Sequence, residues 1–125
     1  EKYTLQSDGS FLAQGYQPTK HTLLMTTKVD AATIGAFRIE VLMDPNLPGG
    51  GPGRSHLGTF GLTEYEVEAV SGGKRLAVKF AAAAADIGPP PETPVIPAFN
   101  EKKPVHRVLG PAEYAIDGKD DTAWS

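Results

Sequence analysis

Glycine and proline punctuate this chain so densely that only short elements fit between them. Fourteen Gly and eleven Pro make 25 of the 125 residues, or 20%, against an ordinary usage of about 12%. The excess lies between short runs rich in Val, Leu, Ile, Phe, Tyr and Thr, and no run carries a convincing helical period. That combination points to an all-β domain, because strands tolerate frequent turns and long helices do not.

The runs themselves are specific. Ala36–Met43 alternates Phe37, Ile39 and Val41 with Arg38 and Glu40, the period of two of a half-buried strand. Asp44-Pro45 stops it. Thr59–Val70 places Tyr65, Val67 and Ala69 on one face and Glu64, Glu66 and Glu68 on the other. Phe60 and Leu62 fall out of that phase, which predicts a bulge near 61–63. Ser71-Gly72-Gly73 reads as a turn into a strand carrying Leu76, Val78 and Phe80. Further strands are expected at Gly9–Ala13 and Thr22–Val29, and the five alanines Ala81–Ala85 as strand continuation or a tight crossing. Phe37, Ile39, Val41, Tyr65, Val67, Leu76 and Val78 form the expected core. From 86 to 111 the chain is Pro-rich with little regular structure expected, a length that marks a functional loop or a linker.

Charge and residue inventory exclude several functions. The net charge is 12 minus 15, or −3, without the basic stripe of a nucleic-acid binder. No apolar run approaches the ~20 residues of a membrane span. With no cysteine, disulfides, thiolate metal sites and a cysteine nucleophile are excluded. The chain begins at Glu1 without Met, as expected of a processed or excised segment.

Motifs for catalysis do not assemble. The loop Gly49–Gly58, GGGPGRSHLG, invites a phosphate-loop reading, but that motif requires glycine where Pro48 stands and lysine where Arg54 stands. It is expected instead to be a polar rim loop with several glycines at positive φ. Arg54 and His56 are its best polar pair for a ligand, Arg54 being anchored by a carboxylate or carbonyls or else free to contact one. Glu64, Glu66 and Glu68 lie ~7 Å apart along a strand, and such carboxylates read as a solvated face because catalytic pairs face each other across a cleft. His21, His56 and His106 are scattered, with no metal-ligand spacing. The segment is therefore expected not to be an enzyme.

Three stretches together carry a resemblance. "IGAFRIEVLMD" (Ile34–Asp44) looks like an internal strand, "LTEYEVEAV" (Leu62–Val70) like a last strand, and "AIDGKDDTAWS" (Ala115–Ser125) like an early loop. These resemble the galactose-binding-like jelly rolls, the discoidin and coagulation-factor C-type modules. With "SDGSFLAQG" and "FRIEVLMDPNLPGGGPGRS", they are similar in order to segments of large exported planctomycete-type multidomain proteins that also contain a c-type cytochrome domain. The resemblance implies an antiparallel β-sandwich that is incomplete in this chain. A last-strand signature preceding an early-loop signature implies a boundary: 1–72 as the later part of one sandwich, 73–125 as the start of a second. The alternative is one irregular sandwich over 1–125.

The function implied is a non-catalytic carbohydrate-binding module of a larger exported protein, periplasmic or at the cell surface. The alternative is a structural or protein–protein interaction module packing against a catalytic or haem domain or within an assembly. Aromatic platforms for a glycan are Tyr16, Tyr114 and Trp124, Trp124 reading also as core. The resemblance further implies a structural Ca²⁺ held by Asp117, Asp120 and Thr122, against the alternative of an ordinary Asx turn.

Overall fold

The computed structural model describes residues 1–18, 20–89, 93–94 and 108–125. Most of the Pro-rich segment, positions 90–92 and 95–107, lies outside the described residues, and His106 with it. The chain divides into two compact units, Glu1–Thr59 and Phe60–Ser125.

The first unit is built on a hairpin of β1 (Lys2–Leu5) and β2 (Phe11–Gln14), paired antiparallel with Tyr3 opposite Ala13 and Thr4 opposite Leu12. Its turn forms as the Ser7-Asp8-Gly9 sequence requires. Asp8 Oδ1 accepts from the Ser10 amide at 2.9 Å, and Gly9 takes φ +88°. Leu12 on β2 is the unit's buried apolar residue. The loop that follows Asp44 folds back on itself. The Asp44 amide donates to the Gly50 carbonyl at 2.9 Å, and Gly53 donates to Gly58 at 2.7 Å. Gly49, Gly50, Gly51 and Gly58 all take positive φ, as the sequence predicted. Gly58 has a second reason to be glycine, because a Cβ there would meet the Pro48 carbonyl at 2.5 Å.

The second unit contains two small sheets. β3 (Glu68–Ser71) and β4 (Lys74–Ala77) form an antiparallel hairpin. Gly72 (φ +55°) and Gly73 (φ +77°) make its two-residue turn, of the mirror-image type whose twist matches that of the strands. β5 (Thr93–Pro94), β6 (Val108–Gly110) and β7 (Thr122–Trp124) form a three-stranded sheet in that order. β5 runs antiparallel to β6, and β6 parallel to β7. A short 3-10 turn, Ala112–Ala115, connects β6 to the loop before β7. Leu62 bridges to Trp124, with both amide-to-carbonyl bonds made at 2.8 and 3.0 Å, and Tyr65 donates to the Ala115 carbonyl at 2.7 Å. Small residues permit these close approaches: Ala112, Ala115 and Ala123 are buried, and Gly61 lies over Ala123.

β structure dominates, and the regular helical elements among the described residues are two single 3-10 turns. The finer expectations change. Thr22–Val29 and Ala36–Met43, expected as strands, carry no regular secondary structure. The parallel β6–β7 pair departs from a purely antiparallel scheme. The expected core is not buried: Phe37, Ile39 and Leu76 are 41%, 40% and 69% exposed, while Val41, Tyr65, Val67 and Val78 are half-buried. The cause is local. Alternation supplies one apolar face per strand, but that face is buried only when another layer covers it. The expected break at 72–74 is the tip of the β3–β4 hairpin, inside the second unit. Segment 60–70 joins β7 in that unit through the Leu62–Trp124 bridge.

Candidate functional site

In the first unit the β1–β2 hairpin and the glycine-rich loop meet at Arg54. Its Nη1 donates to Glu1 Oε1 and its Nη2 to the Gly15 carbonyl. The other Glu1 oxygen accepts from the Tyr3 hydroxyl at 2.8 Å and lies 3.3 Å from His21 Nε2. The Tyr3 and His21 rings stack with centroids 5.8 Å apart. The pair is well shielded, with the Arg54 side chain 17% exposed and that of Glu1 9%. Burial alone pushes the Glu1 carboxyl up, but the hydrogen bonds from Tyr3 and Arg54 and the charges of His21 and Arg54 outweigh it. The net effect holds that carboxyl below its ordinary range. The Tyr3 phenol is pushed up to about 12, first by burial, then by its hydrogen bond to Glu1 and that residue's negative charge, with Arg54 acting in the opposite direction.

Beside this cluster opens a cleft of about 320 Å³ whose lining includes Gln14, Gly15, Gln17, Asn46, Leu47 and Arg54. Its polar groups are largely uncharged. Gln14 Oε1 accepts from Thr4 at 2.9 Å and Asn46 Nδ2 donates to Asp44 at 2.9 Å, which leaves the second atom of each amide available. Between two lining residues stands Tyr16, 79% exposed.

The sequence-derived site residues fall in different places. Arg54 is anchored by a carboxylate and a carbonyl. His56 is exposed on the loop's turn, outside the cleft lining and without a described contact to Arg54. Tyr114 is half-buried, its ring lying across Gly110, where an added Cβ would come within 2.2 Å of it. Trp124 is half-buried in the second unit, edge-to-face with Phe60 at 5.1 Å and 84°, and its Nε1 is buried without a partner among the described residues. The Trp124 ring thus packs on Phe60, while its backbone is bridged to Leu62. Of the three expected platforms, Tyr16 is the one facing solvent.

In the closing loop, Thr122 Oγ1 donates to Asp117 at 2.9–3.0 Å, and the Lys119 amide donates to Asp117 Oδ1 at 3.0 Å and to Glu64 Oε1 at 2.9 Å. The expected oxygens of Asp117 and Thr122 are together, whereas Asp120 is exposed and joins neither. Ca²⁺ takes about 6–8 oxygens. As placed, the Asp117 carboxylate is occupied by internal donors, and among the described residues no three acidic or histidine side chains gather. A calcium shell here would have to draw most of its oxygens from backbone carbonyls beside Asp117 and Thr122.

No sequence motif marks Glu1, Gln14, Gln17 or Asn46. Glu1 and Arg54 are 53 positions apart, and only the fold brings them together. Among the described residues no helix is long and apolar enough to cross a membrane. Comparison with protein-family models, with curated proteins and with solved structures finds no match for this chain.

Proposed function

We propose that this chain is a non-catalytic carbohydrate-binding segment of a larger exported protein, with its glycan site in the cleft bounded by Gln14, Gln17, Asn46 and Arg54. The observation that carries the reading is an exposed Tyr16 whose chain neighbours Gly15 and Gln17 line a cleft that also holds the amides of Gln14 and Asn46. A sugar offers hydroxyls that both donate and accept, and C–H faces that stack on an aromatic ring. Amides match the first and Tyr16 the second. Arg54, neutralised by Glu1, shapes the wall and presents no net charge there. The parent fold on this reading is a galactose-binding-like sandwich, of which 1–125 is a part.

The test is a glycan array followed by calorimetry on any hit. Tyr16→Ala and Gln17→Ala should each weaken binding at unchanged thermal midpoint. An array without hits, or binding indifferent to both substitutions, refutes the reading.

A second reading, a structural or protein-interaction module, is favoured by a different observation. Leu24, Met25, Val29, Ile34, Phe37, Ile39, Leu42 and Met43 are 40–86% exposed within positions 24–43 of the first unit. Clustered apolar exposure of that kind marks a surface that a partner covers.

A further inference from the structure

The β3–β4 hairpin of the second unit carries no cover. Every residue of both strands is exposed, with Val70 at 64% and Leu76 at 69%. Among the described residues β4 pairs with β3 alone. Ser71 and Lys74 flank the two-residue turn, so Lys74 and Leu76 aim their amides and carbonyls at β3. The Val78 amide, on the Val67 carbonyl at 2.9 Å, keeps that alternation. Arg75 and Ala77 therefore turn theirs to the outer edge, where no described residue bonds them. Such an edge is a template for one more strand.

Charge selects which strand. From Gly72 to Ala85 the sequence contains no acid, while β4 and the two residues after it carry Lys74, Arg75 and Lys79. Arg75 reaches Glu68 across the hairpin at 2.9 Å, both side chains staying open at 74% and 56%. Lys74 and Lys79 are exposed and have no ion pair among the described residues. These cations guard the edge against itself, since a second β4 would crowd both sets onto one short ladder. The same charge favours an acidic strand, and β3 shows the pattern that fits. Side chains stand perpendicular to a sheet, so a strand added outside β4 meets the same row of side chains as β3 does. Along β3 and the residues before it, Glu66 and Glu68 alternate with Val67 and Ala69. The register sets Ala69 against Leu76, and Glu68 against Ala77 within reach of Arg75.

We propose that the outer edge of β4 is a docking edge for a strand of a partner protein in which carboxylates alternate with apolar residues, added antiparallel as β3 is. The inference is independent of the glycan cleft and gives the interaction reading a partner of defined chemistry.

The probe is an end-blocked synthetic peptide of the sequence Glu64–Ser71, titrated into the isotope-labelled chain and followed by nuclear magnetic resonance. Binding should saturate, and the Arg75 and Ala77 amides should shift and exchange more slowly with water as they gain acceptors. Ala77→Pro removes an amide that faces outward, a change an edge strand tolerates. It should weaken binding by about tenfold or more at an unchanged thermal midpoint. Lys79→Glu should weaken binding about fivefold, and added salt should weaken it as well. The same peptide with each Glu replaced by Lys should not bind. No saturable binding, equal binding of the lysine peptide, unaltered Arg75 and Ala77 amides, or full binding by Ala77→Pro overturns the proposal. Should Ala77→Pro fail to fold, full binding by Lys79→Glu overturns it instead. Amides that shift with the chain's own concentration, before any peptide is added, would give the edge to a second copy and the acidic partner would fall. None of these failures touches the Tyr16 cleft or the apolar positions 24–43, so the glycan reading and the interaction reading are judged separately.

Discussion

The Arg54 guanidinium spans two elements of the first unit, holding the Glu1 carboxylate with one nitrogen and the Gly15 carbonyl with the other. It pins the glycine-rich loop to the β1–β2 hairpin through a pair whose side chains are 17% and 9% exposed. Arg54→Ala leaves a shielded carboxylate and a carbonyl without their donor, and should lower stability by about 1–3 kcal/mol. Arg54→Lys should recover only part of this, because an ammonium lacks the planar fork that reaches both acceptors. Urea unfolding of the two variants against the parent measures both effects. A loss below about 0.5 kcal/mol for Arg54→Ala would mean the loop holds its place without this anchor.

The same cluster sets two opposite pH dependences. The Glu1 carboxyl is lowered in the folded chain, so its contribution is present above the ordinary carboxylate range and is lost as pH falls through the folded value. The Tyr3 phenol is raised from 10.0 to about 12. Its contribution is therefore complete below about pH 10 and is lost as pH climbs toward 12. Ultraviolet titration should show a late-ionising phase, and Tyr3→Phe should remove it. A titration without a late phase, or one whose late phase survives Tyr3→Phe, would contradict the Glu1–Tyr3 geometry.

How far the sequence foretold this arrangement depends on the range of the interactions. The Asp8-Gly9 turn, the Gly72-Gly73 hairpin and the positive φ angles of Gly49–Gly51 were legible because turn chemistry is decided within four residues. Alternation at Phe37, Ile39 and Val41 led to an expected strand, yet the segment takes no regular element, because alternation states only which side chains share a face. Whether that face is covered depends on a partner strand, and the expected burial failed there. The Glu1–Arg54 pair and the Gln14–Asn46 cleft were invisible because neither lies in a local motif. The β1 strand was missed because four residues, Lys2–Leu5, are too few to show a period.

Trp124, the chain's one tryptophan, is an intrinsic probe of the second unit. Its edge-to-face contact with Phe60 and its bridge to Leu62 hold the segment after Thr59 against β7. Phe60→Leu keeps apolar volume but removes the ring pair, and should cost about 0.5–1.5 kcal/mol. It should also red-shift the Trp124 emission as water reaches the indole. Unchanged emission together with unchanged stability would show that the ring contact contributes nothing.

The Asp117–Thr122 pair separates a hydrogen-bonded turn from a metal loop. Thr122 Oγ1 donates to the Asp117 carboxylate, which also receives the Lys119 amide, so both carboxylate oxygens already have donors. A hydroxyl whose proton is committed to Asp117 shields the charge a cation would seek, and Asp120 stands apart and exposed. Thr122→Val preserves the β-branched shape and removes the donor. It should destabilise the second unit by about 1–2 kcal/mol, the usual cost of a part-buried carboxylate losing a hydrogen bond. Thr122→Ser should retain most of that stability. Adding Ca²⁺ or EDTA should leave the thermal midpoint of this chain unchanged, because the hydrogen-bonded turn already satisfies the Asp117 carboxylate. A midpoint that rises with Ca²⁺, falls with EDTA, and loses both responses in Asp117→Asn would show that the loop rearranges into the metal site the family resemblance implies.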